Sequence, residues 1–138
     1  PRSTLSSSSA ASDVYKRQDI CVPISNITEC VNFAEEQAKK FGLRAPMVGH
    51  LGDGNFHVVL PYDPAKKEMY KKIREFNDLL IKKGLELNGT ITGEHGVGLH
   101  KKEYLLEEHP DNIPVMKSIK RTIDPNNIMN PGKIFDLN

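Results

Sequence analysis

The chain has 138 residues, of which 38% are hydrophobic and 27% charged, the size and balance of one globular domain. Lys and Arg number 19 against 18 Asp and Glu with no basic stripe, which argues against a nucleic-acid partner, and no stretch nears the ~18 apolar residues of a membrane span. Cys21 and Cys30 show neither a CxxC pair nor a disulfide-dense pattern, and read as two reduced, buried thiols of an intracellular protein.

Residues 1–18 (PRSTLSSSSAASDVYKRQ) are rich in Ser and Ala, lack apolar periodicity and do not begin with Met. They read as a disordered tail outside the fold, looking like a translated adaptor joined to a truncated reading frame. Periodicity begins at Asp19. Ile20-Cys21-Val22 is a short apolar run closed by Pro23, as expected of a buried strand. Asn26 stands where it would cap a following helix, with Glu29 as the returning carboxylate. Ile27, Cys30, Val31, Ala34 and Ala38 make that helix's apolar face, and Phe41-Gly42 ends it.

Next comes Gly49-His50-Leu51-Gly52-Asp53-Gly54-Asn55-Phe56-His57. Asp-Gly favours a two-residue hairpin loop, because both central residues take φ > 0 there. Strands over 45–50 and 55–60 then bring His50 opposite His57, with Cβ atoms ~5 Å apart on one face. Two imidazoles so placed suit a shared ion at ~2.0–2.1 Å, and equally suit a histidine pair packed on a hairpin. Asp63-Pro64 starts a second helix, in which Met69, Ile73, Phe76 and Leu80 recur at helical spacing until Gly84. Residues 89–92 form a short β-branched strand. The order β-α-β-β-α-β is the split βαβ or ferredoxin-like unit: an α+β domain with one antiparallel sheet and both helices on a single face.

After that strand comes Thr92-Gly93-Glu94-His95-Gly96-Val97-Gly98, whose glycines let the backbone approach a neighbour closely. Additional C-terminal helices follow over 99–108 and 115–123, stopping before Pro110 and before Asp124-Pro125. Asn130-Pro131-Gly132-Lys133 is a turn leading into a short extended piece. Glu94 offers a carboxylate to complete a set of two His and one acid with open positions, and His95 an imidazole to move a proton; Glu94 is equally readable as a solvated loop acid. His100 and His109 fall on a solvated helix face, Asp53 serves the turn, and Lys133 reads as a surface lysine or a contact for an anionic group.

The motifs GHLGDGNFH at 49–57, TGEHGVG at 92–98 and DPNNIMNPGKIF at 124–135 together resemble the C-terminal part of FAD-linked oxidases of the vanillyl-alcohol-oxidase type. The resemblance covers residue 19 to the C-terminus. It implies the substrate domain of an FAD enzyme that oxidises a D-2-hydroxy acid, with hydride passing to the flavin and electrons to cytochrome c or an electron-transfer flavoprotein. Matched by motif position, His50, His57 and Glu94 are the ligands of a divalent metal, zinc or manganese, and His95 is the general base. Asn55, Asn130 and Lys133 lie in motifs that approach the flavin. Members acting on D-2-hydroxyglutarate carry Asn two residues after the second motif histidine; Val59 stands there in this chain, which favours D-lactate or glycolate. Asn26 follows Val22-Pro23-Ile24-Ser25 where Arg is frequent, so that arginine's contact is missing.

The resemblance further implies a C-terminal fragment whose flavin-binding domain lies upstream, mitochondrial in a eukaryote. The competing reading is a non-catalytic metal- or ligand-binding module, since ferredoxin-like folds host many functions. A base beside a metal ligand, as Glu94-His95 offers, serves a dehydrogenase and has no use in such a module.

Overall fold

The computed structural model describes residues 15–63 and 65–137. Strand β1 (Tyr15–Cys21) leads through a short 3₁₀ turn (Ile24–Asn26) into helix α1 (Ile27–Phe41), followed by strands β2 (Met47–Val48) and β3 (Asn55–Pro61). Helix α2 (Lys67–Glu86) precedes the glycine-rich loop, and α3 (Lys102–Glu108) and α4 (Ile113–Ile123) come after it. The three strands form an antiparallel sheet in the order β1-β3-β2. This is an α+β fold. The expected fourth strand over 89–92 is reduced to one antiparallel bridge, Thr90 to Cys21, on the edge of β1 away from β3. Gly89 explains why the chain comes so near there: a Cβ on it would lie 2.3 Å from the Cys21 carbonyl oxygen.

Residues 15–18, which composition assigns to the tail, belong to β1 and pair with residues 58–61, Tyr15 opposite Pro61 and Gln18 opposite Val58. The sheet partner overrides their polar composition, because backbone pairing asks little of exposed side chains. The rest of the expected tail, 1–14, lies outside the described residues.

Alternation along the strands sends Ile20, Phe56, Val58 and Leu60 toward the helices, where they pack with Cys30, Ala34 and Ala38 of α1 and Ile73, Phe76 and Leu80 of α2. Phe56 and Phe76 are fully buried, each stabilising by roughly 1.5–3 kcal/mol through area removed from water. A second cluster of Ile81, Ile91, Leu105 and Ile113 holds the C-terminal helices against the end of α2. On α4, Val115, Ile119 and Ile123 stay exposed. Cys30 is buried, and burial pushes its thiol up to about 11; Cys21 is free but only half-buried.

Several local features differ from expectation for identifiable reasons. Gly42 does end α1, in the left-handed conformation at φ 65°. Gly84 does not end α2, because its missing Cβ is used for packing: a Cβ there would lie 2.6 Å from Ile20 Cδ1. Asp63 Oδ1 accepts from the Ala65 N–H in a turn ahead of the helix, which starts at Lys67. Asn26 makes no side-chain cap. Its Nδ2 donates instead to the Leu87 carbonyl at 2.9 Å, and Glu29 takes the Lys83 ammonium at 2.6 Å, so both tie α1 to the end of α2. Asn26→Ala should cost about 1 kcal/mol for one part-buried hydrogen bond. Asn26→Asp should cost as much, since Asp caps as well as Asn but cannot donate to Leu87. Chemical denaturation of both variants checks this, and full stability in the Asp variant would restore the capping role.

Candidate active site

The register of β1 on β3 sets Asp19 directly opposite His57, flanked by the pairs Ile20–Phe56 and Gln18–Val58. Since Ile20 and Phe56 face the helices, Asp19 and His57 occupy the other face of the sheet. Cross-strand neighbours have Cβ atoms ~4.5–5.5 Å apart, close enough for their side chains to meet. Asp19 Oδ1 lies 3.3 Å from His57 Nδ1, without hydrogen-bond alignment, and neither atom has another partner.

Asp19 is only 1% exposed. A buried carboxylate is costly unless several donors replace its water. Here they come from the glycine-rich loop: Oδ2 accepts from the Thr92 hydroxyl and Gly93 N–H at 2.8 Å, and from the Glu94 and His95 N–H groups at 2.9 Å. Burial pushes the Asp19 carboxyl up, but the His95 N–H, the Thr92 hydroxyl, the Glu94 N–H and the nearby Lys101 charge outweigh it, and its pKa falls below the usual carboxylate value. The Lys101 ammonium supports the same point from behind, donating to the backbone carbonyls of Asp19 at 3.0 Å and Ile91 at 2.6 Å. Burial lowers the Lys101 pKa, with Asp19 and Glu108 opposing. Gly93 is required for this approach, because a Cβ there would stand 1.8 Å from Asn55 Nδ2 and 3.0 Å from Asp19 Oδ1.

With its backbone pinned, the loop turns Glu94 and His95 toward β3. Glu94 Oε1 lies 2.8 Å from His57 Nε2 and 3.4 Å from His95 Nε2. The two imidazoles stack, with centroids 4.5 Å apart and planes 10° from parallel. His57 is buried behind while His95 and Glu94 are half-exposed in front. One ligand atom from each of His57, Glu94 and His95 lies within 4.8 Å of the others. Two imidazoles and a carboxylate, open on one side, are the donor set of many catalytic divalent-metal sites.

His50 does not join this group. The expected tight hairpin requires φ > 0 at both Asp53 and Gly54, but only Gly54 adopts it, at 76°. Residues 51–53 instead form a 3₁₀ turn, in which the Asp53 and Asn55 N–H groups donate to the His50 carbonyl. The longer connection shifts the register, so His57 pairs with Val48 and not with His50, which sits exposed at the head of the turn. A Cβ on Gly54 would meet the Val22 carbonyl oxygen at 2.0 Å; that packing on the end of β1, as well as turn type, selects glycine here.

Asn55 is buried beside Gly93 with Oδ1 unpartnered. Asn130 and Lys133 are exposed on the terminal turn. That turn is anchored at both ends. The buried Asp124 carboxylate accepts from the Ile128 and Met129 N–H groups at 2.9 Å, and the Ile134 N–H donates to the Gly98 carbonyl at 2.8 Å, at the exit of the glycine-rich loop. Sequence reasoning overlooked Asp19, Thr92 and Lys101. The available signal was an acid entering the apolar run Ile20-Cys21-Val22.

The family described as FAD linked oxidases, C-terminal domain, matches residues 4–134. A probable mitochondrial D-lactate dehydrogenase of Danio rerio is 40% identical over 120 residues, covering 86% of this chain and 24% of that protein. A mitochondrial D-lactate dehydrogenase (cytochrome) of Arabidopsis thaliana is 39% identical over 118 residues, 85% of this chain and 21% of that one. The chain therefore spans less than a quarter of the length of these relatives. Among solved structures, 4-ethylphenol oxidase from Gulosibacter chungangensis superposes with a TM-score of 0.59 at 22% identity, over 90% of this chain and 25% of that chain, a likeness of fold.

Proposed function

This chain belongs to the family of C-terminal domains of FAD linked oxidases, and we propose that it is the substrate-binding part of a flavin-dependent D-2-hydroxy-acid dehydrogenase that converts D-lactate to pyruvate. The observation that carries this reading is the meeting of His57, Glu94 and His95 at one point on the sheet's outer face, drawn from two motifs far apart in the chain.

The donors that meet here, a nitrogen from each of His57 and His95 and a carboxylate oxygen of Glu94, fit a divalent cation such as zinc or manganese in chemistry and mutual reach. His57 and Glu94 would hold it and leave the His95 imidazole to move a proton; His50, the further ligand the motif assigns, stands outside this group at the head of the turn. Asn55, and the terminal turn with Asn130 and Lys133, are the positions for flavin contact. When bound, the flavin supplies a hydride acceptor for C2 of the hydroxy acid and the cation supplies Lewis-acid polarisation of its oxygens.

The chain's own residues do the rest. His95, half-exposed in front of His57, takes the proton of the substrate hydroxyl as C2 is oxidised. Glu94, whose N–H is fixed on Asp19, keeps its carboxylate beside the Nε2 atoms of both rings. Asn55 presents a buried, unpartnered amide oxygen as an orienting acceptor. The names of the relatives point to a cytochrome acceptor and a mitochondrial location in a eukaryote; an electron-transfer flavoprotein is the other carrier class. No helix among the described residues is long and apolar enough to cross a membrane.

The test is a chimera in which this chain replaces the matching segment of the Danio rerio relative, assayed with a dye acceptor on D-lactate, glycolate and D-2-hydroxyglutarate. Turnover should be fastest on D-lactate, absent on L-lactate, and lowered by chelation. A flavin-loaded chimera that binds zinc but oxidises none of the three acids would overturn the reading.

A further inference from the structure

We propose that Asp19 is the positioning residue of this site, one carboxylate whose Oδ2 clamps the loop carrying Glu94 and His95 while its Oδ1 fixes the ring proton of His57 on Nδ1, leaving Nε2 to face the cation. This rests on the reading of His57 and Glu94 as cation ligands. Three observations carry it. Four donors converge on Oδ2, three of them consecutive backbone N–H groups, so the loop conformation is read from a single atom. Asp19 Oδ1 and His57 Nδ1 are both buried without a hydrogen-bond partner and lie 3.3 Å apart. Asp19 and His57 are a directly opposed cross-strand pair, so the strands themselves set the distance.

The chemistry follows from the donor inventory of imidazole. A neutral ring carries one N–H and one lone pair, and a cation needs the lone pair. Each ring nitrogen of His57 faces a carboxylate, Nδ1 that of Asp19 at 3.3 Å and Nε2 that of Glu94 at 2.8 Å. When a cation held by Glu94 takes the Nε2 lone pair, Asp19 is the acceptor that keeps the ring proton on Nδ1. Asp19→Asn separates this role from simple support. The amide oxygen can still take the Oδ2 position and accept from Thr92, Gly93, Glu94 and His95, but the NH₂ then faces Nδ1. A donor facing Nδ1 draws the lone pair there, moves the proton to Nε2 and closes that atom to the cation.

The experiment uses the full 138-residue chain, with zinc and cobalt as probes, in unaltered, Asp19→Asn and Asp19→Ala forms. Asp19→Asn should keep its circular dichroism and the slow exchange of the amides at 93–95, yet bind zinc about 10–100-fold more weakly, the usual cost of losing a ligand's orienting partner. Its cobalt complex should show an altered visible spectrum. Asp19→Ala should lose amide protection as well. Equal zinc affinity in the unaltered and Asn proteins overturns the proposal. The ¹⁵N shifts of the His57 ring in the zinc-loaded unaltered chain give a readout independent of variant folding: Nδ1 should carry the proton and Nε2 the cation, and the reverse assignment also overturns it. Failure of the unaltered chain to bind any divalent cation counts against the reading of the ligands instead, and unchanged exchange of the amides at 93–95 in Asp19→Ala would then overturn the clamping role of Asp19.

Discussion

His95→Asn in the flavin-loaded chimera is expected to lower kcat on D-lactate by roughly 10²–10⁴, the usual share of a general base, with zinc content near that of the unaltered protein. The reason is position. The His57 side chain is 8% exposed and wedged between Asp19 and Glu94, whereas that of His95 is 35% exposed and stacked in front of it, where an arriving hydroxyl would meet it first. Glu94→Gln should behave differently. Removing the charge shared by both rings should lower zinc occupancy and substrate affinity together, and added zinc should restore part of the rate, because a weakened site is still filled by excess ion. Metal analysis and steady-state kinetics on the two variants in parallel decide the assignment. Loss of zinc from His95→Asn with retention in Glu94→Gln would mean that base and ligand have been exchanged.

The parts of the fold that were legible in the sequence are those governed by local rules. The apolar face of α1 and its glycine terminator could be read directly, because spacing and the left-handed cap are properties of a few adjacent residues. Glu94 and His95 were recognisable as candidates for the same reason: an acid and an imidazole among glycines stand out. What escaped was decided by contacts distant in the chain. Gly84 reads as a stop until Ile20, 64 residues earlier, is seen against it. Asp53-Gly54 reads as a two-residue turn until the Val22 carbonyl is found pressed on Gly54 and the connection lengthens, taking His50 off the strand. Asp19 reads only as the residue where periodicity begins until four donors from residues 92–95 are found on it. The orienting half of the site is thus invisible to periodicity, which records what a residue is next to in sequence and not what returns to it.

Gly93→Ala is the second large expected effect, since it tests how tightly the loop is seated. No unusual φ is involved at this residue, so the penalty is steric: the added methyl would fall 1.8 Å from Asn55 Nδ2 and 2.6 Å from its Cγ. Asn55 is 7% exposed and held in β3 opposite Cys21, so its amide has little room to swing away. Overpacking of this kind costs roughly 1–3 kcal/mol. The loop would be expected to lift, stretching the bonds from Gly93, Glu94 and His95 to Asp19 and lowering zinc affinity at least as much as Asp19→Asn does. A second substitution isolates the cause. Asn55→Ala removes the atoms in collision, so Gly93→Ala with Asn55→Ala should be more stable than the sum of the single effects allows, with a favourable coupling of about 0.5–3 kcal/mol. Denaturant midpoints and zinc titrations of the two single variants and the double variant complete the cycle. Additive losses would shift the limiting contact from Asn55 to the methyl's other neighbour, Asp19 Oδ1 at 3.0 Å, and the double variant would then stay unable to bind zinc although its core is intact.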